Sequence, residues 1–335
     1  MSLLHVEDLA VEFTTRDGAV RPLTGIGFSL EQGEILGLVG ETGSGKSVTA
    51  QAVMGLLPFL DGRVSKGKIR FMDQELTTLP ETEYQKLRGN RISLISQNPM
   101  TSLDPVYRVG DQIVEGLRCH TGLSKPEARQ RAVAVMSELG IPNAEKVFIQ
   151  YPHQLSGGLK QRIVIAMGLC ADARLLIADE PTTALDVTVQ AQIIDLFART
   201  VEKKNLGMIM ITHDLGVIAH LCHRVAVMYA GTLVETGDVA TLFAKPVHPY
   251  TRALLGCIPV MGMDEESLDA IPGNVPSVRT FPPGCRYHPR CPAVQEICRT
   301  RWPDTIDTPY GTRVACHQFT PQFTQQFSPD WRTTP

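Results

Sequence analysis

A glycine-rich segment of this 335-residue chain has the composition of a phosphate-binding loop. It reads Gly-Glu-Thr-Gly-Ser-Gly-Lys-Ser from Gly40 to Ser47 and follows the apolar run 35–39. Glycines let backbone N–H groups turn inward around phosphate oxygens, Lys46 supplies a charge for the β and γ phosphates, and the Ser47 hydroxyl can bind Mg²⁺. The helix expected after the loop would point its N-terminal dipole at the same anion. The segment predicts binding of a nucleoside triphosphate.

A second motif selects among the classes that have a phosphate loop, which include kinases, GTPases, helicases and transporter motors. It reads Leu-Ser-Gly-Gly-Leu-Lys-Gln-Arg and runs from Leu155 to Arg162. This run resembles the Leu-Ser-Gly-Gly-x-x-Gln signature of ABC ATPases, and the chain is identified as a member of that class by this resemblance. The signature residues are Leu155, Ser156, Gly157, Gly158 and Gln161.

Further polar residues fall in the order that the resemblance requires. Asp179 and Glu180 end one apolar run, His213 follows a second, and Gln97 follows a third. Asp186 ends the sequence Ala-Leu-Asp, which resembles the D-loop of ABC ATPases. Taken singly, a carboxylate after a buried strand or a histidine beside one is often structural. Their common order relative to the phosphate loop and the signature is typical of one ATPase site.

The resemblance implies a role for each residue in ATP hydrolysis, which depends mainly on positioning and charge stabilisation. Glu180 would be the general base, while His213 and Gln97 would complete the catalytic set. Ser47, Gln97 and Asp179 would hold Mg²⁺. Phe13 would stack on adenine; the alternative is an inward-facing side chain of a β-strand. The residues expected to contact ATP are Phe13, Gly40, Glu41, Thr42, Gly43, Ser44, Gly45, Lys46, Ser47 and Val48.

In ABC ATPases the signature faces the γ phosphate that is bound by the other subunit. The resemblance therefore implies that two ATPase subunits enclose two ATP molecules head to tail, with Ser156 and Gly158 at the start of a helix. This chain has both a complete phosphate loop with Glu180 and a complete signature. Its sequence leaves open whether the second subunit is an identical chain or a paralogue, and whether the second subunit's site is active.

Composition and hydropathy limit the location of the chain. Hydrophobic residues make up 43% of the chain. Because the net charge is −3, no basic field indicates nucleic acid as a partner. No apolar stretch reaches the roughly 18 residues that span a bilayer, and the N-terminus lacks the regions of a signal peptide. We expect a peripheral protein on the cytoplasmic face of the inner or plasma membrane.

Periodicity and the resemblance together predict an α/β fold. Asp17-Gly18 indicates a hairpin in an antiparallel β subdomain. Residues from about 98 to 165 form a helical subdomain that contains the signature, and Ser124 to Glu127 reads as a capping box. Strands alternate with helices from 175 to 234, as in a parallel sheet. The fold class implied is the ABC-type P-loop ATPase, with a RecA-like core.

The tail differs in composition from the rest of the chain. We expect an ATPase domain over 1–257 and a small proline- and cysteine-rich extension over 258–335. The run Val-His-Pro-Tyr-Thr-Arg-Ala-Leu-Leu at 247–255 resembles the peptide and nickel importer ATPases, and the whole chain resembles the D-type subunits of dipeptide permeases. Such subunits normally pair with a paralogous F-type ATPase. They serve two integral membrane permease subunits and, indirectly, an extracytoplasmic substrate-binding protein.

The tail also contains Cys285, Cys291, Cys298 and Cys316, separated by five, six and seventeen residues. These gaps differ from the usual spacing of structural zinc ligands, which leaves an iron–sulfur cluster, zinc or ordinary small apolar cysteines as alternatives. Similar importer ATPases carry a [4Fe–4S] cluster here, and the resemblance favours that cofactor, beside ATP and Mg²⁺. We expect a tail of this size to need a metal in order to fold.

The function predicted is that of an ATP hydrolase that energises import of dipeptides or oligopeptides. The cargo itself is not encoded in this chain, so a nickel chelate, glutathione or a haem precursor is an alternative, and the role of the cluster, structural or redox, stays open. A soluble ABC ATPase of DNA repair is a further alternative, although the chain lacks a basic DNA-binding face. A regulatory or scaffold ATPase is the last alternative function.

Overall fold

The structure is a computed structural model, and it describes residues 2–170, 173–183, 185–258 and 271–319. The strands are β1 Ser2–Thr15, β2 Gly18–Glu31, β3 Ile35–Val39, β4 Gly62–Phe71, β5 Gln74–Glu75, β6 Ile92–Ile95, β7 Leu175–Asp179, β8 Gly207–Ile211, β9 Arg224–Tyr229, β10 Thr232–Asp238, β11 Thr305–Asp307 and β12 Arg313–Ala315. The helices are α1 Lys46–Val53, α2 Glu81–Leu87, α3 Pro99–Ser102, α4 Val109–Thr121, α5 Lys125–Glu138, α6 Ala144–Phe148, α7 Gly157–Cys170, α8 Val187–Lys204, α9 Leu215–Leu221, α10 Val239–Ala244, α11 Pro249–Gly256 and α12 Glu296–Thr300.

The chain divides into two compact units. The first unit consists of residues 72–211 with the short segments 2–3 and 30–35. The second unit consists of residues 4–29 and 36–71 together with the described residues from 212 onwards.

Short parallel strands form the sheet of the first unit. β7 pairs with β6 on one side and with β8 on the other, so that Leu175 lies opposite both Ile92 and Gly207. Every residue of β8 is buried, and β7 is buried up to Asp179. Continuous apolar runs of this kind are typical of parallel strands that are covered on both faces. The carboxyl ends of these parallel strands therefore meet at one edge of the sheet.

Helices make up most of the rest of the first unit. The predicted capping box of α5 is confirmed, because the Ser124 N–H donates to the Glu127 carboxylate at 2.9 Å. Arg162 on α7 donates to the carbonyl oxygens of Leu139 and Gly140 at 2.8 and 2.6 Å, and so joins α7 to the end of α5. Within the described parts of the chain, no helix combines the length and the hydropathy that crossing a membrane requires.

The second unit contains a mixed set of strands. β3 pairs in parallel with β9, and the antiparallel neighbours follow in the order β9, β10, β12, β11. In a separate set, β1 pairs with β4 antiparallel and neighbours β2. The hairpin predicted at Asp17-Gly18 is confirmed, since β1 ends at Thr15 and β2 begins at Gly18.

A buried carboxyl group holds the segment that begins at Val247. Glu235 on β10 is 1% exposed, and its two oxygens accept the N–H groups of Val247 and His248 at 2.9 and 2.8 Å. Burial raises the pKa of Glu235 to about 7. Burial also lowers the pKa of His248 to about 3, so its ring is neutral at pH 7, and Nδ1 accepts the Tyr250 N–H at 3.0 Å. The His-Pro-Tyr run thus begins α11 with its own side-chain cap.

The described residues 271–319, called here the C-terminal segment, pack on apolar and aromatic groups. Val314, Cys316 and Phe319 form a buried cluster with Val247. Tyr287 lies against a pair of tyrosines on β9 and α11, and the three rings together are called here the tyrosine cluster. Its members are Tyr229, Tyr250 and Tyr287, with ring centroids 4.6 to 5.3 Å apart. Aromatic pairs at such separations stabilise a fold beyond their buried area.

Replacing Glu235 with Ala is expected to destabilise the protein. The change leaves two buried amide N–H groups without an acceptor and opens a cavity, so the free energy of unfolding should fall by at least about 2 kcal/mol. Urea denaturation measures this. Glu296→Ala is the matched control, because Glu296 has an 89% exposed side chain and a long ion pair to Arg299 at 3.7 Å. Equal midpoints for the two variants would refute the anchoring role of Glu235.

Candidate functional site

The predicted phosphate loop connects β3 to α1 in the second unit. Gly40 has a φ of +150°, and a Cβ there would overlap the carbonyl oxygen of Met228 on β9. Gly43 and Gly45 have φ values of +82° and +102°, a region that side chains other than glycine avoid. The N–H of Gly231 donates to the carbonyl oxygen of Ser44 at 2.8 Å and holds the middle of the loop. The glycines of the motif are therefore required by backbone geometry.

Lys46 lies inside the turn of the loop. Its ammonium group donates to the carbonyl oxygens of Gly40 and Glu41 at 2.7 and 3.1 Å and to the Ser44 hydroxyl at 3.4 Å. Lys46 is 6% exposed, whereas Thr42 and Gly43 at the tip of the loop are exposed. A charge held inside a turn of glycines fits a polyphosphate anion. Ser47 and Val48 follow, half-buried, in the first turn of α1.

Two other predicted residues of the second unit lie outside the phosphate loop. Phe13 on β1 is half-buried and lies against Gly62, where an added Cβ would come within 2.6 Å of its ring. His213 is exposed and follows the end of β8 after one residue, Thr212. The next residue, Asp214, caps α9 by accepting the N–H of Gly216 at 2.8 Å. The adenine role of Phe13 and the phosphate role of His213 stay predictions.

The first unit brings Gln97 and Glu180 together. The Gln97 side-chain amide donates to Glu180 Oε2 at 2.9 Å, and the Thr183 hydroxyl lies 3.2 Å from the same oxygen. Glu180 has a φ of +48°, which costs a residue with a side chain about 1–2 kcal/mol. Asp179, the last residue of β7, precedes it and is half-buried. The strained turn and its two side-chain partners hold the Glu180 carboxylate beside Gln97.

The signature residues begin α7, also in the first unit. Leu155 is buried, while Ser156 is exposed, and its hydroxyl accepts the Leu159 N–H at 3.4 Å as a helix cap. Gly157 is exposed as well, with no atom within 4 Å of an added Cβ. An exposed helix N-terminus of this kind is suited to binding an anion.

Gln161 joins the signature helix to the residue after Glu180. Gln161 is fully buried, and its side-chain amide donates to the carbonyl oxygen of Pro181 at 2.8 Å. The motif located this glutamine but carried no signal for its partner. A buried side chain thus links α7 directly to the turn that carries Glu180.

The D-loop prediction is described only in part, because Ala184 lies outside the described residues. Asp186 is exposed and forms the N-cap of α8, where its carboxylate accepts the Val189 N–H at 2.9 Å. The tail predicted over 258–335 likewise falls partly outside, since the structure describes residue 258 and residues 271–319 of it.

The prediction of a [4Fe–4S] cluster on Cys285, Cys291, Cys298 and Cys316 is wrong. Within residues 2–170, 173–183, 185–258 and 271–319, no group of three or more His, Cys, Asp or Glu side chains could hold a metal ion. Burial raises the pKa of the Cys285 and Cys291 thiols to about 11 and also raises that of Cys316. Metal ligation requires thiolates, and burial of these three thiols disfavours that charged form. Cys316 packs instead in the apolar cluster with Val247 and Val314.

Two family models match the chain. The one described as ABC transporter matches residues 23–183, which contain the phosphate loop, the signature and Glu180. The one described as oligopeptide/dipeptide transporter, C-terminal region, matches residues 234–298. The second match includes Glu235, the His-Pro-Tyr run and Tyr287.

Curated proteins align with nearly the whole chain. It is 44% identical to the oligopeptide transport ATP-binding protein AppD of Bacillus subtilis, covering 97% of this chain and 99% of AppD. It is 45% identical to the dipeptide transport ATP-binding protein DppD of Escherichia coli, covering 95% and 97%. It is 48% identical to the oligopeptide transport ATP-binding protein OppD of Escherichia coli, covering 94% and 93%.

Solved structures share the fold. The dimeric ATP-binding cassette MJ0796, bound to ADP and Pi, matches with a TM-score of 0.64 at 23% identity, covering 70% of this chain and 98% of that chain. CbiO1 of Clostridium perfringens, part of the ABC transporter complex cbiONQ, matches with a TM-score of 0.60 at 27% identity, covering 72% and 91%. The predicted fold class, an α/β ATP-binding cassette, is confirmed.

Replacing Gly40 with Ala is expected to abolish ATP binding. The added Cβ overlaps the Met228 carbonyl oxygen, so the loop must shift, and the free energy of unfolding should fall by about 3 kcal/mol. Calorimetric titration with ATP and urea denaturation measure the two effects. Gly116→Ala is the control, because Gly116 lies within α4 with open space around it, and it should leave binding unchanged. ATP binding by Gly40→Ala at wild-type affinity would contradict the geometry described for the loop.

Proposed function

The chain belongs to the family of ABC transporter ATP-binding subunits, and on that premise we propose that it hydrolyses ATP to energise import of dipeptides or oligopeptides. The observation that carries the proposal is the Glu180 turn of the first unit, where the Gln97 amide donates to the Glu180 carboxylate. The peptide cargo rests on the match of residues 234–298 and on the names of AppD, DppD and OppD. Uptake of a labelled dipeptide, compared with nickel, by cells with and without the gene tests the cargo.

Each predicted residue has a defined task in this proposal. Lys46 and the loop amides bind the β and γ phosphates, and Ser47, Gln97 and Asp179 would hold Mg²⁺, which would supply neutralisation of phosphate charge. Glu180 accepts a proton from the attacking water, and its carboxylate is oriented by the Gln97 amide and the Thr183 hydroxyl. His213 orients that water, and Phe13 stacks on adenine. Together these residues position the reacting groups and stabilise charge, which is what catalysis of phosphoryl transfer requires.

A second ATPase subunit completes each site in the proposal. Ser156 is exposed at the start of α7 and is available to the nucleotide of a facing subunit, as is the helix N-terminus itself. We assign that subunit to a paralogous F-type ATPase, so that the pair is a heterodimer. Asp186 lies at the start of α8 in the segment that resembles the D-loop.

The family role also defines the remaining partners and the domain arrangement that we propose. Two integral membrane permease subunits bind the ATPase pair on the cytoplasmic face, and an extracytoplasmic binding protein delivers the cargo. Residues 1–257 form the ATPase domain, with its helical subdomain at about 98–165, and residues 258–335 form the extension. Copurification with membrane permease subunits checks the assignment of these partners.

Replacing Glu180 with Gln is expected to leave ATP binding intact while ATP turnover falls by about a hundredfold or more, the usual contribution of a general base. The glutamine keeps the shape of the side chain but cannot accept the proton. Phosphate release under saturating ATP measures turnover, and calorimetry measures affinity. Glu202→Gln is the matched control, because Glu202 is exposed on α8 of the same unit. Turnover within twofold of wild type in Glu180→Gln would remove Glu180 from this role.

Replacing Gly158 with Asp tests the facing-subunit arrangement. An added Cβ at Gly158 lies 3.6 Å from Leu185, an ordinary contact, so the variant should fold. Its carboxylate would repel the nucleotide of the facing subunit, so turnover should fall by about a hundredfold while the ATP affinity of the variant's own loop is unchanged. Gly116→Asp is the control for an added exposed charge. A loss of affinity at the variant's own loop would contradict the arrangement.

A further inference from the structure

A salt bridge links the C-terminal segment to the phosphate loop. Arg290 donates from Nη1 to Glu41 Oε2 at 2.7 Å and from Nη2 to Glu41 Oε1 at 3.1 Å. The Arg290 side chain is 4% exposed and that of Glu41 is 29% exposed. A bidentate pair between guanidinium and carboxylate fixes geometry as well as charge, which a lysine at the same place could not do. The residue at the start of the loop therefore has a partner 249 positions away.

The guanidinium of Arg290 is itself held in place by the start of the C-terminal segment and by β9. Nε donates to the carbonyl oxygen of Pro272 at 2.8 Å, and Nη2 donates to that of Ile271 at 3.1 Å. Nη1 lies 3.4 Å from the Tyr229 hydroxyl. All five N–H groups of a guanidinium are thus accounted for. Arg290 does not have to be ordered when it binds Glu41.

The backbone of Glu41 is fixed on both sides as well. Its N–H donates to the hydroxyl of Tyr250 at 2.9 Å, and Tyr250 is fully buried in the tyrosine cluster. Its carbonyl oxygen accepts from the Ser44 N–H and from Lys46 Nζ, both at 3.1 Å. Neighbouring residues therefore fix the positions of the Glu41 side chain, its amide N–H and its carbonyl oxygen. The path of the chain from Gly40 into the loop follows from these contacts.

Charge gives the salt bridge a second consequence. Glu41 is a carboxylate within a loop whose ligand is a polyphosphate, and like charges in one site repel each other. Arg290 cancels that charge with a buried counter-ion, which solvent and salt screen little. Without Arg290, the loop would keep Glu41 as an unbalanced anion and would lose the contact that orients it.

We propose that Arg290 is a positioning residue for ATP, which acts through Glu41 and together with Tyr250 to preform the phosphate loop. The inference rests on the proposed function. Because coupling is reciprocal, ATP bound at the loop also stabilises the docking of the C-terminal segment. The segment is in this sense a part of the nucleotide site, although its residues lie far from the loop in sequence.

The test is a double-mutant cycle on the full chain, with the dissociation constant of Mg-ATP measured by calorimetry. We expect Arg290→Ala to raise this constant at least about fivefold, the lower limit of ordinary coupling between sites. Arg290→Lys should give a smaller increase. In the Glu41→Gln background, Arg290→Ala should change the constant by less than twofold, because the partner through which Arg290 acts is gone. An equal effect of Arg290→Ala in both backgrounds would overturn the proposal.

Arg279→Ala is the matched control. Arg279 also joins the C-terminal segment to another part of the second unit, through Asp17 at 2.6 Å, but both side chains are more than half exposed, at 54% and 67%. This variant should bind ATP as wild type does. If Arg290→Ala does not fold, Arg290→Lys and Tyr250→Phe carry the test, since Tyr250→Phe removes only the hydroxyl that accepts the Glu41 N–H.

The outcomes separate this inference from the proposed function. Wild type that fails to bind Mg-ATP refutes the function. Wild type that binds, with Arg290→Lys and Tyr250→Phe binding equally well, refutes only the positioning role. A lower unfolding temperature of the Arg290 variants with an unchanged dissociation constant also refutes it, because Arg290 would then only stabilise the packing of the C-terminal segment.

Discussion

The phosphate loop must present backbone N–H groups to an anion, and most features of the second unit follow from that constraint. A loop whose amides point inward cannot satisfy itself by helix or sheet hydrogen bonds, so neighbouring elements have to hold it in shape. β9 passes directly behind Gly40, the turn after β9 donates to Ser44, and α11 supplies the hydroxyl that accepts from Glu41. The loop is formed as much by residues 228–250 as by its own motif.

Local patterns predicted the local structure. The phosphate loop, the hairpin at Asp17-Gly18 and the capping box at Ser124 are each encoded within a few residues, and each formed where the pattern indicated it. The apolar runs before Asp179 and His213 likewise became the buried strands β7 and β8, since periodicity and burial are properties of short windows.

Contacts between distant parts of the chain were beyond such patterns. The amide of Gln161 on Pro181 and the guanidinium of Arg290 on Glu41 join residues whose types are common and whose separation in sequence carries no signal. For the cysteines of the tail, a sequence pattern suggested a site that the structure does not form. Their clustering suggested a metal, but what decides thiol chemistry is burial, and burial raises the pKa of the Cys285 and Cys291 thiols to about 11. The described residues 271–319 pack instead on Val247, Tyr229 and Tyr250.

The contact of Glu41 with Arg290 has a consequence for how such chains can be recombined. In the motif Gly-x-x-x-x-Gly-Lys-Ser, Glu41 occupies a position where any residue satisfies the pattern. In this chain that freedom is removed, because a segment almost 250 positions later is built to hold a carboxylate there. Grafting the C-terminal segment onto another ATPase would therefore transfer a buried arginine without its counter-ion unless the first variable position of the recipient loop were changed with it. The C-terminal segment and Glu41 therefore have to be exchanged together.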